Sequence, residues 1–537
     1  MSPAAAPRRG DLARMLAHSS ERDLIVIGGG ATGLGIALDA AARGLSVALV
    51  EAEDFAKGTS SRATKLVHGG VRYLAQGNLR LVREALRERA ILLRNAPHLA
   101  QPLPFLLPVY GTKGRWFDKW FYGAGLLAYD LLAGAQRLGR TEYLGAADAA
   151  RLAPSLRASD LAGGVRYWDG QFDDARLAVA LARSAIARGA VVINHCAAVG
   201  LLHQGERIAG VLVEDRESEA RWSLRARCVI NATGVWVDAV RRMDRAPRGD
   251  LVAPSQGVHI VVDRDFLPEA HAILVPRTQD GRVLFAVPWL GKTILGTTDT
   301  PRSDLALEPE PFLAEIDFIL GEAGRILAKA PTQADIRSLW VGLRPLVRRN
   351  DVDAADTKAL SREHAVLVER SGLVTVTGGK WTTYRAMAED VLAHCMAHDL
   401  LPRRAAGVTA SLPLVGAPRS SERPLSDAPG LHLYGTEAPL VQSLPGANRE
   451  LAPGLTEAMV RFAARYEYAR TVEDVLARRA RLLFLDARLA AAVAAPVAAL
   501  LAEELGDDFD AERSLADFKR LAERYCTLPG AGAPLLQ

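Results

Sequence analysis

The stretch from Asp23 to Glu51, DLIVIGGGATGLGIALDAAARGLSVALVE, constrains the fold more than any other part of the chain. Leu24-Ile25-Val26-Ile27 is a short apolar run rich in β-branched residues, the pattern of a strand buried on both faces. Gly28, Gly30 and Gly33 follow at once in G-x-G-x-x-G spacing. A helical pattern then carries Ile36, Leu38, Ala41 and Ala42 to Arg43-Gly44, where glycine suits a helix end. A second apolar run, Val47 to Val50, closes on Glu51, 18 residues after the third glycine. The spacing has a physical reading. The first glycine makes a tight turn, the second lets backbone approach a pyrophosphate, and the third lets helix pack against strand. The helix N-terminus offers free N–H groups and a positive dipole end to phosphates, while Glu51 can accept from a ribose diol. This strand, turn, helix and acid together predict an adenine-dinucleotide site and leave FAD or NAD open.

A chain of 537 residues exceeds one ordinary core, so two or more domains are expected. With 66 basic and 62 acidic residues the charge is nearly balanced, which argues against nucleic acid as a partner. Cys196, Cys228, Cys395 and Cys526 are scattered without a C-x-x-C pair. They support neither a metal site nor a redox disulfide, and they suit a reducing compartment. Residues 1–22 lack the apolar core of a signal peptide and read as a flexible leader. The longest apolar run, Leu489 to Ala502, is mostly alanine broken by Pro496. It falls short of the roughly 20 residues of a membrane span, so membrane contact is expected to be peripheral.

Beyond Glu51, residues 59–74 read TSSRATKLVHGGVRYL, dense in hydroxyls, glycine and basic groups with no amphipathic period. A helix is expected from Leu79 to Leu93, ended by Pro97. Asp173-Asp174 is placed to cap a helix over 175–188, and Val199–Leu202 with Ile208–Glu214 reads as a meander. Arg227 to Gly234 is a strand running into the turn Asn231-Ala232-Thr233-Gly234. Further strands are expected at His259–Val262, Ile273–Val275, Val283–Val287 and Thr293–Gly296, with a helix near 312–327. A last nucleotide-domain strand runs from Val374 to Gly379, followed by a helix over 381–394. Pro413–Pro429 is a linker. The remainder is helical, at 456–469, 471–485, 489–505 and 510–525, with Thr471 and Asp474 near a capping box.

The glycine loop, residues 59–74, NATG at 231–234, GLRPL at 342–346 and GGKWTTYRAMAED at 378–390 together resemble the FAD-dependent, quinone-linked glycerol-3-phosphate dehydrogenases. The resemblance runs from about Asp23 to the C-terminal helices. It implies an α/β fold: an FAD-binding Rossmann-like, D-amino-acid-oxidase-like domain, an interleaved antiparallel substrate domain, and an α-helical C-terminal domain. The nucleotide-binding segments are expected at about 23–99, 165–250 and 340–400 and the substrate domain at about 100–164 and 251–339. The helical domain follows over 430–537. The implied reaction is oxidation of sn-glycerol 3-phosphate to dihydroxyacetone phosphate. FAD is bound non-covalently, and electrons pass to a membrane quinone from a cytoplasmic enzyme held peripherally on the inner face of the cell membrane, with a homodimer as the candidate assembly.

The same resemblance assigns residues. Arg72, Tyr73, Arg344, Arg362 and Lys380 are implied to line the substrate pocket. Cofactor contacts are implied at Gly28, Gly30, Thr32, Gly33, Glu51, Ser60, Ser61, Lys65, Leu66, His68, Gly69, Gly70, Ala198, Asn231, Ala232, Thr233, Gly234, Gly378, Gly379 and Lys380. Among these, Arg344 suits a phosphate because its fork offers two parallel donors. Lys380, at a helix start, suits the charge of a reduced flavin ring. For the proton acceptor the candidates are His68 and His259, and the sequence does not choose between them. Lys113 to Asp130 interleaves Lys113, Arg115 and Lys119 with Trp116, Phe117, Trp120, Phe121 and Tyr122, a composition fit either for a bilayer interface or for a core. Three rival readings share the glycine loop: an oxidase of the same substrate using oxygen, a tRNA-modifying flavoprotein, and a non-catalytic flavin-binding interaction protein. Near-neutral charge and scattered cysteines weigh against the second, and the intact Arg72, Arg344 and Lys380 set against the third.

Overall fold

The computed structural model describes residues 21–70, 78–111, 116–244, 249–348, 363–421 and 423–529, with Gly10, Leu12 and Met15 ahead of them. At its centre Arg22–Ile27 lies parallel between Val47–Val50 and Arg221–Asn231. Val191–Ile193 extends the sheet on one side and Leu373–Thr377 on the other, again in parallel. Leu24, Ile25 and Val26 have no exposed surface, as a parallel strand covered on both faces requires. One face carries the helices Ala31–Ala42, Asp174–Ile186 and Tyr384–Ala397, whose Leu34, Leu181 and Val391 share a core with Val26 and Ile230. The other face is roofed by the antiparallel strands Cys196–Gln204 and Arg207–Asp215, where Val211 and Val213 meet Ile25 and Val50. The four described cysteines are free and buried.

A second, ten-stranded sheet holds the interleaved domain. From one side it runs Ser338–Val347, Val252–Asp263, Lys292–Gly296, Leu284–Trp289, Ala272–Val275, Ala100–Tyr110, Leu161–Phe172, and it is antiparallel except between Ala272–Val275 and Ala100–Tyr110. Helix Leu313–Ile326 covers one face through Ile316, Ile319 and Ala323. The other face looks toward the nucleotide domain and the C-terminal helices. The boundaries expected at 165 and 340 fall inside strands of this sheet. Leu161–Phe172 pairs along its length with Ala100–Tyr110, and Ser338–Val347 with Val252–Asp263. Apolar runs reveal that a strand exists but not which neighbour it pairs with.

Residues 413–429 lie against this body: Leu414 and Leu425 are buried, and Leu290 N–H and Gly291 N–H donate to the carbonyls of Leu425 and Ser426. The C-terminal domain contains helices Glu457–Tyr466, Ala494–Leu505 and Ala511–Cys526 with shorter turns between. Thr471 and Asp474 do cap one another, each side chain accepting from the other's N–H at 3.1 Å. The single helix expected over 471–485 is instead a π-helical turn, Asp474–Arg479, and a short helix, Leu482–Leu485. The break is Arg481, held at φ 63° while its guanidinium reaches wholly buried acceptors.

Candidate functional site

Between the two sheets lies a cavity of about 1560 Å³. Its nucleotide end is built by the first strand, which delivers Gly28 at φ 112°. A Cβ there would sit 2.6 Å from the Ala232 carbonyl oxygen, and one on Gly33 would run into the Gly28 carbonyl. These two glycines therefore let the loop, the 231–234 turn and the helix close on one another. Glu51 stands at the end of the second strand, its carboxylate accepting from Gly29 N–H (2.6 Å) and Glu53 N–H (2.9 Å). Burial pushes this carboxyl upward while the two donors oppose it. Each oxygen keeps acceptor capacity for a ribose hydroxyl.

Ala198, Ala232, Thr233, Gly234 and Thr32 line the same end. Asn231 does not line it. Its Nδ2 donates to the Val237 carbonyl and its Oδ1 accepts from Thr233 O–H, so it shapes the turn from within. In the middle of the cavity are Ser60, Leu66, His68, Gly70, Gly378, Gly379, Lys380 and Thr382. Ser60 Oγ accepts from Ala31 N–H, and its carbonyl accepts from Trp381 Nε1. This ties the loop to both helix starts. Lys380 precedes a 3-10 turn, Trp381–Thr383, and the α-helix begins only at Tyr384.

Lys65, Ser61 and Gly69 correct the sequence reading: they lie in the loop but not on the cavity wall. Lys65 adopts φ 64°, which turns its side chain away from the cavity, and its Nζ donates to Asp174 and to the Ser61 carbonyl, both at 2.7 Å. Gly69 N–H donates to Tyr129 Oη (2.7 Å), whose hydroxyl donates to buried Asp169. Arg72, Tyr73 and Arg362 lie outside the described residues.

The far end is polar and is set by strand register. Ser255 pairs with Arg344, Gly257 with Gly342 and His259 with Trp340, so Arg344, Gly257 and His259 share the cavity-facing side. Arg344 donates to the carbonyls of Gln256 (3.1 Å) and Thr298 (2.9 Å), to Thr297 Oγ1 (3.2 Å) and to Asp299 (3.3 Å). Its fork is thus already held by protein acceptors, two of them at long distance. His259 is buried, stacks on Trp340 with ring centres 5.2 Å apart, and has Nε2 2.9 Å from Thr64 Oγ1. Burial, then Lys65 and Arg344, holds its imidazole well below the ordinary range. It is therefore neutral, and its buried Nδ1 has no partner among the described residues. Thr64 and the run Thr297-Thr298-Asp299 escaped sequence reasoning. The only local signal for the latter was a cluster of hydroxyls after a strand end.

The cavity suits a flavin dinucleotide in its chemistry, with a glycine cradle and a carboxylate at one end and cations at the other. A model of the FAD dependent oxidoreductase family matches residues 23–385, and one for the C-terminal domain of alpha-glycerophosphate oxidase matches residues 408–513. The mitochondrial glycerol-3-phosphate dehydrogenase of Arabidopsis thaliana is 40% identical over 530 residues, covering 90% of this chain and 83% of the relative. The human mitochondrial enzyme is 39% identical over 543 residues, covering 93% and 73%. The crystal structure of the glycerol-3-phosphate dehydrogenase from Bacillus halodurans, complexed with FAD, superposes with a TM-score of 0.78 at 29% identity over 100% of both chains. The FAD-binding fold, the helical C-terminal domain and this degree of identity agree: the chain belongs to the FAD-dependent glycerol-3-phosphate dehydrogenase family.

Proposed function

We propose that this chain oxidises sn-glycerol 3-phosphate to dihydroxyacetone phosphate and passes the electrons to a membrane quinone. The observation that carries the reading is the single cavity joining the glycine loop and Glu51 to Arg344, His259 and Lys380. FAD, when bound, supplies the hydride acceptor; the chain supplies binding, orientation and proton transfer. A phosphate dianion entering beside Arg344 would exchange with the long contacts to Thr297 and Asp299, giving the fork two charge-assisted bonds. Arg72, Tyr73 and Arg362 complete this pocket in the reading carried by family motifs.

His259 is the better proton acceptor of the two histidines. It lies two residues from Gly257 on the face that carries Arg344, and burial and two cations keep it in the neutral, accepting form while lowering its proton affinity. A neutral imidazole facing the substrate hydroxyl can take its proton as the hydride leaves. Lys380 would bear on the negative charge of the reduced ring.

For the acceptor, the supporting element is helix Trp116–Ala133, on which Leu127 is 42% and Leu131 82% exposed. No helix among the described residues is long and apolar enough to cross a membrane, so this helix would lie in the interface. Purified protein supplied with substrate and a short-chain quinone should reduce the quinone without stoichiometric hydrogen peroxide. Stoichiometric peroxide with no quinone reduction would replace the quinone by oxygen.

A further inference from the structure

Two cations buried where the nucleotide loop meets the C-terminal domain share one carboxylate. Lys65 and Arg481 have no exposed side-chain surface, and both are non-glycine residues in left-handed backbone, at φ 64° and 63°. Side chains of this size are rarely held there unless their surroundings enforce it. Here the same two acceptors enforce both. Lys65 Nζ donates to Asp174 and to the Ser61 carbonyl at 2.7 Å, and Arg481 donates to the same pair at 3.0 and 2.9 Å, with Asp173 3.5 Å away. Lys65 Nζ also lies 5.2 Å from the ring centre of Trp340, the ring that stacks on His259. Thr64, the residue before Lys65, holds His259 Nε2. The backbone turn at Lys65 therefore fixes two things at once, a hydroxyl on the histidine and a positive charge across an indole from it.

We propose that Lys65 is a positioning residue for the oxidation and that the C-terminal domain is a working part of the site. Through Arg481 that domain locks the Lys65 turn, which sets Thr64 against His259 Nε2 and places the ammonium across the Trp340 ring from the histidine. This rests on His259 as the proton acceptor. The charged groups around His259 are Lys65 from its loop and Arg344 from the outer strand. Asp299 lies beyond Arg344, and Asp173, Asp174 and Arg481 lie beyond Lys65. Burial brings Lys65 itself down to about 7, with Asp174 opposing and Arg481 assisting that fall.

The test uses the FAD-loaded full chain. A required neutral histidine gives kcat/KM an acid limb set by its proton affinity. Removing a neighbouring positive charge in Lys65→Met should move that limb to higher pH by about one unit, roughly tenfold in the dissociation constant. Lys65→Arg, which keeps the charge, should restore the parent profile, and Arg481→Met, which releases the Lys65 turn, should move the limb in the same direction as Lys65→Met by a smaller amount. Histidine-selective nitrogen NMR, with the resonance assigned by His259→Gln, should show the His259 titration in Lys65→Met displaced to higher pH than in the parent, in step with the limb. If Lys65→Met, which leaves Asp174 with Arg481 as its one cation among the described residues, does not fold, the Lys65→Met/Asp174→Asn pair removes both charges and should give a smaller rise of the same sign. An unmoved His259 resonance in flavin-loaded Lys65→Met, or in the double variant, overturns the proposal. His259→Gln with full kcat would instead overturn His259 as the base and leave the NMR result to decide the role of Lys65.

Discussion

Replacing Arg344 with methionine removes a structural contact and a binding contact, and the two separate by measurement. Structurally, four N–H donors to Gln256, Thr297, Thr298 and Asp299 disappear. An acceptor left unmet costs about 1–3 kcal/mol when fully buried. The Arg344 side chain is 26% exposed, however, so water meets part of the loss and about 1–2 kcal/mol in total is expected. For binding, a fork on a phosphate dianion contributes about 1.5–3 kcal/mol per charge-assisted bond. Losing two such bonds costs about 3–6 kcal/mol, or about 10²- to 10⁴-fold in kcat/KM. Arg344→Lys keeps the charge but not the planar fork and should lose about 10- to 100-fold.

The assay is steady-state kinetics with sn-glycerol 3-phosphate on protein whose flavin occupancy matches the parent. Adding Asp299→Asn to Arg344→Met should recover part of the lost thermal stability, because the carboxylate no longer lacks its cation, and should recover none of the lost kcat/KM. A kcat/KM within threefold of the parent, with flavin retained, would remove Arg344 from the phosphate site.

Two further outcomes follow from the same geometry. Gly33→Ala puts a methyl group into the Gly28 carbonyl, so the purified variant should carry little flavin; a full flavin-to-protein ratio would contradict the close packing of helix and loop. Glu473, paired with Lys57 at 3.0 Å and Arg478 at 2.7 Å, anchors the C-terminal domain to the nucleotide loop. Burial works to raise its carboxyl, but Lys57 and Arg478 outweigh that and hold it down to about 2. Because the folded value lies below the ordinary one, its stabilisation is complete above about pH 4.5 and is lost as pH falls toward 2. Glu473→Gln should therefore melt below the parent at pH 6, by about 3 kcal/mol at most, and the gap should close on acidification. A gap independent of pH would refute the assignment.

The nucleotide half of the fold was legible because its signals are local. A buried strand, a glycine turn, a helix and Glu51 follow one another within 29 residues, and the structure places them as that order demands. The Asp173 cap, accepting from Arg176 N–H, was legible for the same reason. Strand partnership was not. Nothing in LAGGVRYWDGQF marks Leu161–Phe172 as the neighbour of Ala100–Tyr110, because both are apolar runs and pairing is set by the whole sheet. Lys65 shows the limit for the site. The family resemblance implied a cofactor contact there, but its left-handed backbone and its bond to Asp174 take the side chain off the cavity wall. His259 and Thr64 are 195 residues apart, and only the fold brings them within hydrogen-bond reach.

The central claim is that one cavity holds FAD and the carbinol carbon of a phosphorylated alcohol together. Anaerobic titration of the purified flavoprotein with sn-glycerol 3-phosphate tests it most directly. The visible flavin absorption should bleach in proportion to the substrate added, with dihydroxyacetone phosphate formed in equal amount. A flavin that remains oxidised in the presence of excess substrate would contradict the account.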